Sequence, residues 1–248
     1  MSSPHRIPGL SVFLPSHNEE GNVERVVGAY LKELPRITDD YEVIVVDDGS
    51  SDRTGAIADR LASADSHVKV VHHHVNRGYG GAVISGIRAA SKPYVLLCDG
   101  DGQFDPADIE LMTPFVPEFD VVAGRRAHRA DPLMRRVNGM AWSGLVRILL
   151  GITISDIDCG FKLFKRDKLD GMELRAHGAM ISTELMARLA GRGAKVKEVD
   201  VAHLPRLTGE QSGASFKVVM RAFKELITLY RELKAEREAG ANEKLNKS

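Results

Sequence analysis

The sequence predicts an α/β fold built on an open, doubly wound and mostly parallel sheet. Two observations lead to this prediction. Short β-rich runs recur along the first half of the chain, with helical segments between them. Most of these runs are too uniformly apolar for a sheet with one wet face, which is typical of parallel strands covered by helices on both sides. Alternation of this kind indicates a Rossmann-like α/β architecture.

The predicted strands are Leu10–Leu14, Glu42–Val46, Val68–His72, Tyr94–Cys98 and Asp120–Ala123. The helices predicted between and after them are Glu19–Leu34, Thr54–Ala64, Gly80–Ala90, Pro106–Val116 and Pro132–Leu150. The alternation loosens after Gly151, where a helix at Ile181–Ala190 and a strand at Lys195–Val201 are predicted. We divide the chain into an α/β domain over residues 1–214 and a terminal amphipathic helix with a charged tail over residues 215–248.

Composition limits the kinds of partner that the protein can have. Lys plus Arg equals Asp plus Glu, at 34 each, so no net field attracts nucleic acid or an anionic lipid surface. The two cysteines, Cys98 and Cys159, do not form a disulfide framework, which favours a reducing compartment, and Cys98 is expected to be buried. No signal peptide opens the chain, and no apolar stretch approaches the ~20 residues that span a bilayer. We expect a cytoplasmic protein, soluble or peripheral on the cytoplasmic membrane face.

Polar clusters follow four of the predicted strands. Ligands of open α/β sheets bind beyond the carboxyl ends of the strands, so these clusters should converge on one cleft. In the fourth cluster Asp99 and Asp101 follow a buried strand, Gly100 separates them and Gln103 adds another oxygen. Hard divalent cations prefer oxygen ligands, and an incomplete carboxylate site suits a metal that also holds a diphosphate. A plain Asp/Gly-rich turn is the alternative interpretation.

Two other clusters carry binding groups with less specific patterns. Asp47 and Asp48 end a buried strand, where their carboxylates can accept hydrogen bonds from a base or a ribose. The stretch Asn76–Gly81 is similar to a phosphate-binding loop before a helix, although a tight turn explains its glycines equally well. His72, His73 and His74 are adjacent on a strand and therefore point to alternating sides, so we do not expect them to share one metal ion.

Basic and amphipathic segments complete the candidates. Arg125 and Arg126 directly follow a predicted strand, and arginine offers bidentate donors to phosphate. The terminal helix carries an apolar stripe flanked by lysines and arginines. Such a helix either lies on a membrane surface or packs on its own domain or a partner, which includes a second copy of the chain. The residues of the stripe are Phe216, Val219, Met220, Phe223, Ile227 and Tyr230.

Together these motifs resemble the family 2 glycosyltransferases of the GT-A fold, and most closely the polyprenyl- and dolichol-phosphate sugar synthases. The resemblance covers about residues 9–215 in family order, and it is specific only when the motifs are taken jointly. The matching stretches are Leu14–Glu20, Val46–Ser50, Asn76–Gly81, Asp99–Gln103, Gly124–Arg126, Asp156–Lys162 and His203–Arg206.

The resemblance implies roles for individual residues. Those expected around the nucleotide sugar are Pro15, His17, Glu19, Asp47, Asp48, Gly78, Asp99, Gly100, Arg125 and Arg206. Those expected to hold Mg²⁺ or Mn²⁺ on the diphosphate are Asp99, Asp101 and Gln103. The catalytic group implied is Asp156, Asp101 and Arg126, with Asp156 beside the acceptor as general base or orienting group. Glu184 is a further candidate for the cleft.

The implied reaction is inverting transfer of a sugar from a UDP- or GDP-linked donor to a polyprenyl phosphate. Three alternatives remain open at this stage. One is transfer to a hydroxyl of a soluble saccharide or small molecule, and another is a catalytically silent nucleotide-sugar binder that scaffolds a membrane complex. The third, a nucleotidyltransferase, is disfavoured because the loop after the first strand is acidic and lacks an early glycine.

Overall fold

A computed structural model describes residues 5–127, 144–152, 154–176, 178, 180–205 and 225–235. The strands in these ranges are β1 (Leu10–Ser16), β2 (Tyr41–Asp47), β3 (Val68–His72), β4 (Tyr94–Cys98), β5 (Val121–Arg126), β6 (Phe161–Lys165) and β7 (Val196–Val201). The α-helices are α1 (Val23–Ile37), α2 (Thr54–Ala64), α3 (Gly78–Ala89), α4 (Ile109–Met112) and α5 (Met180–Gly191). Residues 144–150 and 225–235 are also helical.

The sheet has the strand order β3-β2-β1-β4-β6-β5-β7. Its pairings are parallel except at β6, which runs antiparallel to both of its neighbours. The predicted doubly wound, mostly parallel sheet is therefore confirmed. β6 was not predicted, because Phe161–Lys165 alternates apolar residues with lysines instead of forming a uniform apolar run. Even so, Lys162 in this strand is fully buried.

The hydrophobic core lies on both faces of the sheet, since successive side chains of a strand point to opposite faces. On one face Phe13 and Leu97 belong to a cluster that includes residues of α3, α5 and the segment 225–235. On the other face Val12 and Leu96 belong to a cluster that includes residues of α1 and α4. Cys98 is buried, as expected; Cys159 is buried as well, and both cysteines are free.

Two predicted helices differ from those observed. α1 begins four residues later than predicted, at Val23, because Asn18 adopts φ 55° and the chain turns before the helix starts. The predicted helix Pro106–Val116 is only the short α4 between two 3₁₀ turns, Pro106–Asp108 and Thr113–Phe115. Pro114 lies in the second of these turns, and proline has no N–H to continue an α-helix.

The described part of the last helix packs into the core through a different stripe from the one predicted. Leu226, Leu229 and Leu233 are buried, whereas Ile227 and Tyr230 are 49% and 38% exposed. Whether the predicted stripe contacts a membrane or a protein partner stays a prediction, because a second apolar stripe of the same helix is the one that joins the core cluster with residues of α5. Among the described helices, none is long and apolar enough to cross a membrane. The other predicted members, Phe216, Val219, Met220 and Phe223, lie outside the described residues.

Candidate active site

The polar clusters converge at one edge of the sheet, as the strand directions require. β1, β2, β3 and β4 are mutually parallel, so the loops that follow them lie at the same edge. β6 runs the other way, and its first residue Phe161 pairs with Cys98 at the end of β4. The segment 156–160 therefore approaches the same edge from the opposite chain direction. This antiparallel strand brings the Asp156 stretch to the acidic loop.

The loops after β1 and β2 are tied together by side chain–backbone hydrogen bonds. Asn18 Oδ1 accepts from the Ser51 N–H at 2.8 Å, and the Glu19 N–H donates to Thr54 Oγ1 at 2.8 Å. The positive φ of Asn18 is a conformation that Asn tolerates better than most residues. These contacts fix Glu19 at the wall of the cleft.

The adjacent carboxylates Asp47 and Asp48 have separate partners. Asp48 Oδ1 lies 2.6 Å from His73 Nδ1 and accepts from the Arg77 N–H at 2.8 Å. Asp47 accepts from the Ser50 N–H at 3.1 Å and contacts His72 Nδ1 at 3.0 Å. Burial opposes ionisation of Asp47, but the hydrogen bonds from Ser50 and His72 outweigh it and lower its pKa. Each carboxylate is therefore stabilised despite the repulsion between neighbours.

The three histidines point in alternating directions, as expected from their places on and after β3. His73 is buried between Asp48 and Ser85, with its two ring nitrogens 2.6 and 2.8 Å from their oxygens. His72 and His74 are exposed. His72 and His73 hold the ends of the second and third strands together, each through a different carboxylate of β2 or the residue after it.

The loop Asn76–Gly81 uses part of its hydrogen-bonding capacity within the protein. Gly78 has φ 79° at the start of α3. The Arg77 N–H is bonded to Asp48, and the Gly78 N–H donates to Asn76 Oδ1 at 2.8 Å. Two of the amides that an anion would need are therefore occupied, which favours the tight-turn interpretation. Asn76 and Gly78 still line the cleft.

The acidic pair follows β4 and lines the cleft. Burial and repulsion by Asp101 raise the pKa of Asp99 to about 6. The Tyr79 hydroxyl donates to Asp99 Oδ1 at 2.8 Å. A Cβ at Gly100 would lie 2.6 Å from Ser16 Oγ, so only glycine lets the acidic loop lie this close to the end of β1. Two carboxylates and a glycine thus face one space, as the sequence predicts.

A cavity of about 470 Å³ connects these groups, and its size is within the range of small-molecule sites. It is lined by Pro15, Ser16, His17, Glu19, Asp48, Asn76, Gly78, Tyr79, Ala82, Asp99, Gly100 and Asp101. Most residues predicted around the nucleotide sugar therefore lie in one cavity.

Arg126 and Asp156 form a fork-shaped ion pair beside the acidic loop. Arg126 Nε and Nη2 donate to Asp156 Oδ2 and Oδ1 at 2.8 and 2.7 Å. Burial opposes the charge of Arg126, but Asp156 outweighs this and raises its pKa. Glu198 accepts from the N–H groups of Ser155 and Asp156 at 2.7 and 3.2 Å, and so fixes the start of this turn. β5 carries Arg126, and β7 carries the Glu198 side chain that holds the turn before Asp156.

Gln103 connects the acidic loop to the segment after β7. Its Nε2 donates to the Leu204 carbonyl at 3.0 Å, and the Leu204 N–H donates to the Gln103 carbonyl at 2.8 Å. The amide nitrogen is therefore engaged in a structural contact. The role of Gln103 as a metal ligand stays a prediction.

Three other predicted residues lie away from this cavity or outside the described residues. Arg125 points to the other side of β5 from Arg126 and pairs with Asp200 at 2.6 and 3.0 Å. Glu184 lines a separate cavity of about 340 Å³ beside the segment 225–235, so the expectation that it faces the same cleft was wrong. Arg206 lies outside the described residues.

Comparison with known proteins identifies the family. A model described as "Glycosyl transferase family 2" matches residues 11–172, which include the acidic loop and Asp156. The chain belongs to glycosyl transferase family 2. It is therefore a glycosyltransferase, and the resemblance found in its motifs is confirmed.

Two of the three relatives described below are named for undecaprenyl phosphate, and the third is named only as a glycosyltransferase. The undecaprenyl-phosphate mannosyltransferase of Micrococcus luteus is 30% identical over 209 residues, which are 80% of this chain and 84% of the relative. The undecaprenyl-phosphate 4-deoxy-4-formamido-L-arabinose transferase of Proteus mirabilis is 28% identical, over 88% of this chain and 67% of the relative. Glycosyltransferase AglD of Haloferax volcanii is 32% identical, over 79% of this chain and 33% of its own length.

Solved structures confirm the GT-A fold expected for the family. Glucosyl-3-phosphoglycerate synthase of Mycobacterium tuberculosis, crystallised with Mn²⁺, UDP and phosphoglyceric acid, aligns with a TM-score of 0.68. The alignment covers 91% of this chain and 78% of that one at 21% identity. A second crystal structure of that enzyme, with Mg²⁺ and UDP, gives a TM-score of 0.67 at 19% identity, over 91% and 79%.

Several residues that shape the site of this family 2 enzyme carried no recognisable functional signal. Tyr79 and Lys162 lie inside recognised motifs. Nothing in the sequence indicates that Tyr79 contacts Asp99 or that Lys162 is buried near it. Burial lowers the pKa of Lys162, and its ammonium donates to the Cys159 carbonyl. For Lys162, its place inside a strand was the one feature that could have drawn attention to it. The sequence gives no comparable feature for Glu198, because the pattern of β7 is that of an ordinary, partly polar strand.

Proposed function

We propose that this family 2 glycosyltransferase is metal-dependent and transfers a sugar, with inversion, from a nucleoside diphosphate sugar to a polyprenyl phosphate. The observation that carries the proposal is the cavity in which Asp99 and Asp101 lie together with nucleoside-binding candidates from β1 and β2. The names of the undecaprenyl-phosphate relatives support the acceptor class.

The donor end of the cavity offers hydrogen-bond acceptors and little positive charge. Pro15, His17, Glu19 and Asp48 line it, and the bonds between the first two loops hold this wall in place. Carboxylates suit the N–H groups of a base and the hydroxyls of a ribose. A nucleoside bound there would direct its diphosphate toward Asp99 and Asp101.

The acidic pair has the donor chemistry that a hard divalent cation prefers. Its mutual repulsion, which contributes to the raised pKa of Asp99, is what a bound cation would relieve. Within the described part of the chain, no three His, Cys, Asp or Glu side chains are grouped to hold a metal. Water and diphosphate oxygens would then complete the coordination of Mg²⁺ or Mn²⁺ by Asp99 and Asp101, with Gln103 as the third candidate. When bound, the ion supplies positive charge to the leaving diphosphate.

The acceptor end favours a phosphate over a hydroxyl. Asp156 is held by both guanidinium nitrogens of Arg126, and a carboxylate in such a pair is a poor general base. A phosphate acceptor is already ionised near neutral pH and needs no base. Its oxygen forms the new bond to the anomeric carbon from the face opposite the diphosphate. The bond to the diphosphate breaks, and the electron pair leaves with the nucleotide.

Arginine side chains complement these phosphates. Arg126 lies near Asp99 and contributes to its electrostatic environment, so it borders both the donor and the acceptor ends. Arg125 and Arg206 remain candidates for the same role, and ligand binding would have to release Arg125 from Asp200. We place the enzyme on the cytoplasmic membrane face, where the exposed Ile227 and Tyr230 are available to a lipid surface or a protein partner.

The test uses radiolabelled UDP- and GDP-sugars with Mn²⁺ and either undecaprenyl phosphate in detergent or soluble saccharides. We expect label in the organic extract with one donor class, and a loss of at least about 100-fold in Asp101→Asn, because removing a charged transition-state contact has effects of this order. Asp167→Asn, at the opposite edge of the sheet, is the matched control and should retain activity.

Labelled product found only in the aqueous phase would show that the acceptor is a soluble molecule and not a lipid phosphate. Tight nucleotide-sugar binding without turnover on any acceptor would support the silent scaffold instead. Full activity of Asp101→Asn would contradict the metal assignment.

A further inference from the structure

The Asp99 carboxylate lies in a narrow slot. On one side the Tyr79 hydroxyl donates to Oδ1 at 2.8 Å. On the other side is Gly160, where an added Cβ would lie 1.9 Å from Oδ2 and 2.5 Å from Oδ1. The Asp99 N–H donates to the Gly160 carbonyl at 3.1 Å, so the backbone holds the two residues together as well. No side chain larger than hydrogen fits at position 160 without moving the carboxylate.

The two walls of the slot come from distant parts of the chain. Tyr79 lies in the first turn of α3, and Gly160 directly precedes the antiparallel strand β6. The Tyr79 hydroxyl donates to the carboxylate from one side, and Gly160 closes the other side by its backbone. The orientation of Asp99 is therefore set by contacts outside its own loop.

Orientation matters because a carboxylate binds a cation well only when its oxygens are already directed toward the ion. Groups that hydrogen-bond to a metal ligand fix its rotation and tune its basicity. The fold therefore controls the geometry of Asp99 from both sides of its carboxylate.

We propose that Tyr79 and Gly160 are positioning residues that orient the Asp99 carboxylate and thereby set the affinity of the site for a divalent cation. This inference rests on the proposed function, because it assigns Asp99 to the cation. Tyr79 acts by its hydroxyl and Gly160 by the space that it leaves open.

The first variant is Tyr79→Phe, which removes the hydroxyl and keeps the ring. Titration calorimetry with Mn²⁺, in the presence of UDP and separately of GDP, should show affinity for Mn²⁺ about 10-fold weaker or more, as is usual for the loss of a ligand's supporting hydrogen bond. The thermal melt of the metal-free variant should stay close to that of the wild type, a distinction that a general loss of structure would not produce. Tyr94→Phe, at the other end of β4, is the matched control and should bind Mn²⁺ as the wild type does.

The second variant is Gly160→Ala, whose added methyl must displace the carboxylate. We expect Mn²⁺ affinity to fall by as much as about 100-fold, the upper end of the range for such changes. Gly191→Ala is the control, since a Cβ there meets no atom within 4 Å. If Gly160→Ala fails to fold, Tyr79→Phe decides the matter alone, because it adds no atom.

The outcomes separate this inference from the function on which it rests. Wild-type protein that binds Mn²⁺ while Tyr79→Phe binds it equally well would overturn the inference and leave the proposed function intact. Wild-type protein that binds no Mn²⁺ with either nucleotide would contradict the metal-dependent function, and this inference with it.

Discussion

At the scale of single residues, the ion pair of Arg126 with Asp156 is the contact that depends most on side-chain shape. Both guanidinium nitrogens reach the carboxylate, and the Arg126 N–H adds a third bond to Asp156 Oδ2 at 3.2 Å. The side chains are only 18% and 8% exposed, so solvent screens the pair weakly. Lysine provides the charge but cannot make two parallel bonds.

We therefore expect Arg126→Lys to lower kcat/KM by roughly 10- to 100-fold, the equivalent of losing one charged hydrogen bond. Steady-state kinetics with the labelled donor measure the change. Arg36→Lys is the matched control, since Arg36 is more than half exposed and pairs with Glu33 and Glu110 away from the cavity. Equal activity of both variants would show that charge alone suffices at position 126.

At the scale of elements, His72 joins the end of β3 to β2 and α2. Its Nδ1 lies 3.0 Å from Asp47 Oδ2, and its Nε2 lies 3.0 Å from Asp59 Oδ1. The hydrogen bond with Asp59 and then that with Asp47 raise the pKa of His72 above 6.5. A histidine whose pKa is raised by folding stabilises the folded state while it is charged.

This stabilisation is fully present below pH 6.5 and is lost as the pH rises through the raised pKa of folded His72. Asp59→Asn removes the hydrogen-bond partner that raises the pKa of His72 most. The melting temperature of this variant should therefore be lower than that of the wild type at acidic pH. The difference should shrink as the pH rises from about 5 to about 8, the range in which histidine titrates. Thermal melts across this range, with Asp167→Asn as control, measure it. A difference that grows with pH would contradict the assignment to His72.

At the scale of the whole molecule, the segment 225–235 is part of the core that covers one face of the sheet. Leu226, Leu229 and Leu233 share a buried cluster with Phe13 of β1 and residues of α5. The boundary predicted at residue 214 separates this helix by sequence, whereas its packing joins it to the catalytic domain. The division into two parts stays a prediction, but the described end of the helix contributes to the core.

Leu229→Ala should consequently destabilise the whole fold by about 2–5 kcal/mol, the usual loss for truncating a buried leucine. Ile227→Ala is the matched control on the same helix, and because Ile227 is 49% exposed we expect a change within about 0.5 kcal/mol. Urea unfolding of both variants gives the free energies. Equally small changes in the two would mean that the helix does not belong to the cooperative core.

Much of the site could be predicted because its signals are local. The apolar run before Asp99 and Asp101 specifies a strand and the loop after it within about ten residues. The apolar run before Asp47 and Asp48 does the same for the second strand and its loop. Parallel strands place their following loops at one edge, so the sequence order of the motifs was enough to predict one cleft. Glu184 was predicted to face the wrong cavity, because the residues around it do not show which face of α5 packs against which other element of the fold.

The sequence by itself determined the class of the sheet, its first four strands and the acidic loop, because these follow from the periodicity of adjacent residues. Only the tertiary structure decided that β6 runs antiparallel between β4 and β5, that Arg126 and not Arg125 pairs with Asp156, and that Tyr79 and Gly160 enclose Asp99. The reason is that strand neighbours, direction and register are choices between distant segments. They depend on the total apolar surface buried and the hydrogen bonds satisfied, which no short window of sequence contains.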